Sequence, residues 1–270
     1  GTIDPTANLA AKPVYLFSGQ NDTVVQPAVM NALQQYYLAF DSPSEVTYDD
    51  GTPAAHAWIS PDGKNGCDTL ASPFVDDCGI DPEGTFLALF YGTLDPRNAG
   101  GLAGSLAPFD QTPFCPGGDC GSISLDDSGW VFVPASCAGG ARCRLVVALH
   151  GCLQDQGAVG EAFVQEAGLN EWADGNDIVV LYPQTKASTV PPNPEACWDW
   201  WGYTGSDYAL QSGPQMRAVI AMVDELEGAP VPDAGAAPGP LAGRCGCATS
   251  GGPLVPLALV LLAGLRRRRR

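Results

Sequence analysis

Three short runs share one form: KPVYLFSG (Lys12–Gly19), RLVVALHGC (Arg144–Cys152) and DIVVLYP (Asp177–Pro183). Each holds four or five consecutive apolar, β-prone residues that stop at a Gly or Pro turn. Runs of this length without polar alternation suit strands buried on both faces. Segments with helical apolar spacing lie between and after them: Pro27–Phe40, which starts on the favoured proline, a stretch near Glu161–Ala173, and the long stretch Asp207–Glu227. EVTYDD (Glu45–Asp50) and GWVFVP (Gly129–Pro134) also read as strands, the latter adjacent to Arg144–Leu149 through the Cys137–Cys143 loop. TFLALFYG (Thr85–Gly92) is apolar and fits either type, and Gly92–Gly121 is rich in Gly and Pro. Strands alternating with helices predict an α/β fold with a mostly parallel sheet.

The charge narrows the function classes. The formal net charge of −17 hides an asymmetry: residues 1–243 carry −23, whereas the last 27 residues contain six Arg and no acid. An acidic body repels phosphate backbones, which argues against a nucleic-acid partner. It suits a secreted protein acting on a neutral or insoluble substrate.

Ten cysteines are present, and Cys67/Cys78, Cys115/Cys120 and Cys137/Cys143 each flank a short Gly-, Asp- or Pro-bearing loop. Zinc is the competing reading, but the sequence has only two histidines and no CxxC pair; the tightest pair is Cys245-Gly-Cys247. Disulfides are therefore expected for the three local pairs, which implies an oxidising compartment. Cys152 has a candidate partner in Cys197. Spacing alone does not fix the connectivity.

Composition changes at Gly228. Residues 1–227 form the expected folded domain and 228–244 a Pro/Ala/Gly linker. Residues 245–270 hold CGCATSGG, the apolar run PLVPLALVLLAGL and the block Arg266–Arg270. The 13-residue run is short for a span of about 20 residues, but the 19 residues from Cys247 to Leu265 suffice. The arginines would keep that end cytoplasmic. A buried core helix, the alternative, is hard to square with a terminal polybasic block after such a linker. The arrangement resembles a myxosortase-type sorting tail. That resemblance implies cleavage by a sorting protease near Cys245/Cys247, membrane contact through the tail, and a cell-surface location. The sequence begins at Gly1 with no basic or apolar leader. An export-dependent tail calls for an export signal, so an N-terminal part is expected upstream of residue 1.

Acid–base chemistry at neutral pH has His56 and His150 as its histidine candidates. In SGQNDTVV, a strand and a Gly turn place Asp22 at the carboxyl end of a sheet, where α/β sites lie; the competing reading is a helix cap or turn aspartate. His56 follows in TPAAHAW, where a surface imidazole is the bland alternative. An aspartate and then a histidine, each after a strand, is the order of the back half of an α/β-hydrolase triad. LHGC ends a strand in a turn whose amides could stabilise an oxyanion. Cys152 would give its N–H; a nucleophilic thiol is the rival role.

Several blocks together resemble the short-chain polyhydroxyalkanoate (polyhydroxybutyrate) depolymerases: LHGC with Gln154 two residues on, YPQ (Tyr182–Gln184), NPEACWDWWGYTG (Asn193–Gly205) and QMRAVIAMVDEL (Gln215–Leu226). The order of Asp22, His56 and the oxyanion strand is similar to the circularly permuted, type 2 catalytic domain. The resemblance implies a circularly permuted α/β-hydrolase fold, a polyester substrate and a serine esterase that needs no cofactor and no metal. It further implies that Asp22 orients His56, that His56 is base and then acid, and that the Cys152 amide lies in the oxyanion hole. Trp198, Trp200 and Trp201 are then expected to line the polymer groove, against a core or sheet-edge cluster as the alternative.

No GxSxG occurs in the 270 residues: Ser18 and Ser105 lack the Gly two positions before and Ser250 sits in the tail. In the permuted order the nucleophile elbow precedes the aspartate, so it is expected upstream of Gly1, leaving the fold incomplete at the N-terminus and residues 1–270 inactive alone. A pseudoenzyme would also lack the elbow. A feruloyl or acetylxylan esterase, or an inactive surface protein binding polymer through its tryptophans, are the alternative functions.

Overall fold

The computed structural model describes residues 3–228. The linker, Cys245, Cys247, the apolar run and the arginine block lie outside the described residues, and with them the expectations of a sorting motif and a membrane helix. Among the described residues no helix is long and apolar enough to cross a membrane. The strands are β1 (Val14–Phe17), β2 (Val46–Asp49), β3 (Trp58–Ile59), β4 (Asn65–Gly66), β5 (Val75–Asp77), β6 (Ser105–Asp110), β7 (Ser128–Val133), β8 (Arg144–Val147) and β9 (Ile178–Tyr182). The helices are α1 (Pro27–Leu38), α2 (Pro82–Tyr91), α3 (Ala135–Ala138), α4 (Gln156–Val159), α5 (Ala162–Glu166), α6 (Leu169–Gly175) and α7 (Pro214–Leu226). They divide into two compact units, one of residues 4–97 with 161–172, the other of residues 98–160 with 173–228.

In the first unit, β1 pairs in parallel with β2, Val14 opposite Val46, across the intervening α1. A second parallel sheet has the order β3-β5-β4. Helix α1 carries no charged residue, and Val29, Leu33 and Tyr36 on it are exposed. The ambiguous apolar run resolves as α2, because Pro82 opens the helix and Asp81 Oδ1 accepts from Gly84 N–H at 2.9 Å. The core sets Trp58 edge-on to Phe86 and Phe163, with centroids 6.4 and 5.5 Å away. Its indole donates to the Ala167 carbonyl at 3.1 Å. The single helix expected at Glu161–Ala173 is two, α5 and α6. Gly168 lies between them at φ +71°, a left-handed conformation that ends a helix.

The second unit is built on one sheet of order β6-β7-β9-β8. Two expectations are corrected here. First, β7 and β8 are not adjacent: β9 runs between them, antiparallel to β7 and parallel to β8. All five residues of β9 are buried, whereas β8 starts on the exposed Arg144. The fully apolar strand takes the centre, where neighbours cover both its edges. Second, this sheet is mixed. The Gly/Pro-rich stretch contains β6, which returns antiparallel along β7 from Ser105 opposite Val133 to Asp110 opposite Ser128. Only β8 and β9 form a parallel pair here, so the mostly parallel sheet holds for the first unit alone.

The helix expected from Asp207 begins only at Pro214. Residues 207–213 are turns, closed by Leu210 N–H to Asp207 O at 2.8 Å and Gly213 N–H to Leu210 O at 2.9 Å. Proline excludes helical geometry from the residue before it, and Gly213 is extended at ψ 128°. Ala218, Met222 and Leu226, four residues apart on α7, are buried in a cluster with Val131, Val179 and Leu181. Each fully buried large side chain there contributes about 1.5–3 kcal/mol. Four disulfides join Cys67–Cys78, Cys115–Cys120 and Cys137–Cys143, the three local pairs expected from spacing, and Cys152–Cys197, the candidate pair.

Candidate active site

The acid–base pair belongs to the first unit. Ser18 N–H donates to Asp49 O at 2.8 Å, carrying the β1–β2 ladder one residue further, after which the chain turns and Asp22 N–H donates to Gly19 O at 3.1 Å. Asp22 Oδ1 accepts from the Val24 and Val25 amides, both at 2.8 Å. Its Oδ2 lies 2.8 Å from His56 Nδ1. One oxygen thus makes the contacts of a turn aspartate, and the other lies against the imidazole.

The loop bearing His56 is laced to the loop bearing Asp22. Gln20 N–H donates to Thr52 O, Asn21 N–H to Ala54 O, and the Asn21 side chain to Pro53 O, at 2.8, 3.0 and 3.0 Å. Ala55 N–H donates to the carbonyl of Cys67, a member of the Cys67–Cys78 bridge. A carboxylate only accepts, so a neutral His56 carries its proton on Nδ1 and leaves a lone pair on Nε2. The Asp22 side chain is only 10% exposed and the imidazole 42%, and Nε2 has no partner among the described residues. An imidazole so oriented accepts a proton at Nε2 while the carboxylate stabilises the cation formed.

His150, in the second unit, has a different role. It is buried, donates from Nδ1 to Gly151 O at 2.7 Å and accepts at Nε2 from Thr185 N–H at 3.2 Å. Burial pushes its pKa down to about 4, so it is neutral at pH 7 with both nitrogens engaged. That leaves Nε2 of His56 as the histidine nitrogen without a partner among the described residues. Cys152 is bonded to Cys197, which removes the thiol nucleophile as a reading. Its backbone N–H, by contrast, has no acceptor among the described residues, while Leu153 N–H donates to Glu195 O at 2.8 Å.

The three tryptophans separate. Trp198 packs against the core cluster, its ring 5.7 Å from His150. Trp200 and Trp201 are 69% and 41% exposed, 5.1 Å apart, and Trp201 lies 4.8 Å from Tyr203. Asp199 shapes this loop by accepting from the amides of Gly202, Tyr203 and Thr204 and from the Thr204 hydroxyl. Burial works against that carboxylate, yet these donors hold its pKa below the usual range. Among the described residues, Cys137, Cys143 and Asp177 approach one another as metal ligands would, but the two sulfurs are spent in a disulfide.

Sequence reasoning missed the loop-shaping polar groups, namely Thr185, Asn193 and Asp199. Asn193 is fully buried, donates to Cys197 O and accepts from Cys197 N–H, clamping the far end of the disulfide. The available signal was a dense run of Asn, Pro and Asp around Cys197.

No protein-family profile matches the chain. It is 43% identical over 266 residues to the poly(3-hydroxybutyrate) depolymerase of Delftia acidovorans, covering 96% of this chain and 51% of that one. It is 38% identical over 237 residues to the polyhydroxybutyrate depolymerase of Talaromyces funiculosus, covering 83% of this chain and 68% of that one. The chain belongs to the polyhydroxybutyrate depolymerase family. Among solved structures it matches the crystal structure of the PHB depolymerase from Penicillium funiculosum with a TM-score of 0.78 at 38% identity, over 83% of this chain and 73% of that one. The same agreement holds for a PHB depolymerase with a serine-to-alanine substitution, complexed with an R3HB trimer. The chain spans about half the length of the Delftia depolymerase.

Proposed function

We propose that the protein carrying these residues hydrolyses the ester bonds of poly(3-hydroxybutyrate), or of a related short-chain polyester, by a serine-esterase mechanism. The observation that carries the reading is the Asp22–His56 pair at 2.8 Å with Nε2 of the imidazole unpartnered. In the proposed cycle His56 Nε2 takes the proton of a serine hydroxyl as its oxygen attacks the ester carbonyl. The resulting imidazolium, steadied by Asp22, gives that proton to the departing alkoxide and so releases the alcohol end of the polymer. Water then repeats the sequence on the acyl-enzyme, leaving the acid end. The Cys152 N–H is the proposed oxyanion donor, the role the family resemblance gives it. Trp200 and Trp201 are the proposed polymer contacts, since exposed indoles match the methyl-bearing chain of such a polyester.

The serine belongs to no GxSxG in these 270 residues. We place it in the part of the relatives' length that this chain does not span, before Asp22 in a circularly permuted order. The family match and the serine-to-alanine depolymerase bound to an R3HB trimer support that choice. Four disulfides support an extracellular site of action, and the tail composition supports sorting at Cys245/Cys247 to the cell surface. The deciding experiment measures clearing of poly(3-hydroxybutyrate) granules by the full-length protein and by its His56→Ala variant. Clearing that vanishes in the variant is expected; a full-length protein that releases aryl acids from feruloyl esters and leaves granules intact would overturn the substrate assignment.

A further inference from the structure

We propose that Gln154 is a positioning residue for the Cys152 amide, an inference that rests on the esterase reading above. Gly151 to Gln154 form a turn closed by Gln154 N–H donating to Gly151 O at 3.2 Å. Leu153 holds the third position at φ +59°, where turns of this kind usually take Gly or Asn. The N–H of the second residue, Cys152, takes no part in closing such a turn. Its neighbours are committed: Gly151 N–H donates to Gln154 Oε1 at 2.8 Å and Leu153 N–H to Glu195 O at 2.8 Å.

Gln154 therefore grips Gly151 on both polar sides of its backbone, through its own N–H and its buried side chain. A trans peptide is planar, so the Gly151 carbonyl and the Cys152 N–H are two ends of one rigid plate. Fastening the oxygen, which also accepts from His150, fixes where the N–H points. The side chain further removes the Gly151 N–H as a competing donor. Contact is tight: a Cβ on residue 151 would lie 2.7 Å from Gln154 Oε1. An oxyanion donor is effective only when its direction is set before the charge develops, and Gln154 supplies that setting from two residues away.

The test is a double-mutant cycle in the full-length protein, with p-nitrophenyl butyrate as substrate and folding followed by thermal unfolding. Gln154→Ala is expected to lower kcat about 10- to 100-fold with KM changed less than about twofold, because misaimed donors cost transition-state stabilisation. Gln154→Glu keeps an acceptor for the Gly151 N–H and is expected to recover most of kcat. Gly151→Ala displaces the Gln154 side chain without deleting it, so it should lower kcat in the wild-type background and cost far less in the Gln154→Ala background. Additive effects of the two substitutions, an unchanged kcat in Gln154→Ala, or losses that track the unfolded fraction would each overturn the proposal. Should Gln154→Ala fail to fold, Gln154→Glu with Gly151→Ala decides it by the same criterion: kcat lowered in the second and spared in the first. A wild-type protein that hydrolyses no ester would instead defeat the esterase reading.

Discussion

Asp22 splits its carboxylate between two tasks: Oδ1 holds the amides of Val24 and Val25, and Oδ2 holds Nδ1 of His56 at 2.8 Å. A turn contact and the contact proposed to orient the imidazole thus share one side chain. Asp22→Asn can keep its oxygen on the two amides, but its NH2 then faces Nδ1 and forces the other tautomer. The expected outcome in the full-length protein is a kcat lower by on the order of 10³–10⁴-fold with a Tm near the wild-type value. Asp22→Ala should lose the turn contacts too, costing about 1 kcal/mol in denaturant unfolding.

Glu83 gives the first unit a pH dependence. It is 1% exposed, and burial first, then the charge of Asp81, raises its pKa to about 9 from an ordinary 4.5. Trp58 faces it, and its charge reaches Tyr15. Between those two pKa values the native state holds a proton that the unfolded chain has released. Stability from this group is therefore complete below about pH 4.5 and declines as pH rises towards 9, by at most about 1.4 kcal/mol per pH unit. Thermal unfolding from pH 5 to 9 should show a falling Tm in the wild type and a flatter profile in Glu83→Gln.

The tryptophans should part company under substitution. Trp198→Ala opens the core beside His150 and is expected to destabilise by about 3 kcal/mol in chemical unfolding. Trp200→Ala, at a side chain 69% exposed, should leave stability within about 0.5 kcal/mol. Its effect should appear as slower granule clearing with unchanged turnover of a soluble butyrate ester. Equal losses on both substrates would remove Trp200 from the polymer contact.

At the centre of the mixed sheet, Leu181 is 2% exposed and packs with Val131 and Met222. Leu181→Ala is expected to cost about 2–5 kcal/mol, measured by urea denaturation.

What could be read from the chain beforehand was whatever local chemistry decides. The apolar runs of β1, β8 and β9 declared themselves because four or five consecutive apolar residues leave no polar positions to confuse the pattern, although only β9 is buried throughout. The short cysteine loops did so because few pairings fit them. Sheet order did not, since whether β7 lies beside β8 or β9 is settled by which strand most needs cover on both edges. The break at Gly168 and the late start of α7 at Pro214 were visible as residue types, yet apolar spacing across them outweighed the signal. His56 was singled out in sequence by its order after Asp22, but the state of the two imidazoles was not legible there. Burial and two partners engage the His150 ring, and the partners come from Thr185, 35 positions away, and from the turn the chain makes immediately after His150.

Three of the four bridges join cysteines 5, 6 and 11 positions apart, and a cross-link that short restricts the unfolded chain by about 2–3 kcal/mol, less than the roughly 4 kcal/mol of a loop several times longer. The fourth reaches across 45 positions and ends on the residue whose amide is proposed to meet the oxyanion. Reduction is therefore expected to reach two kinds of place: the short loops, one of which accepts the Ala55 amide beside His56, and the turn that carries the Cys152 amide. If the Cys152 amide has the proposed role, loss of ester hydrolysis under a mild reductant is expected to precede loss of the fold.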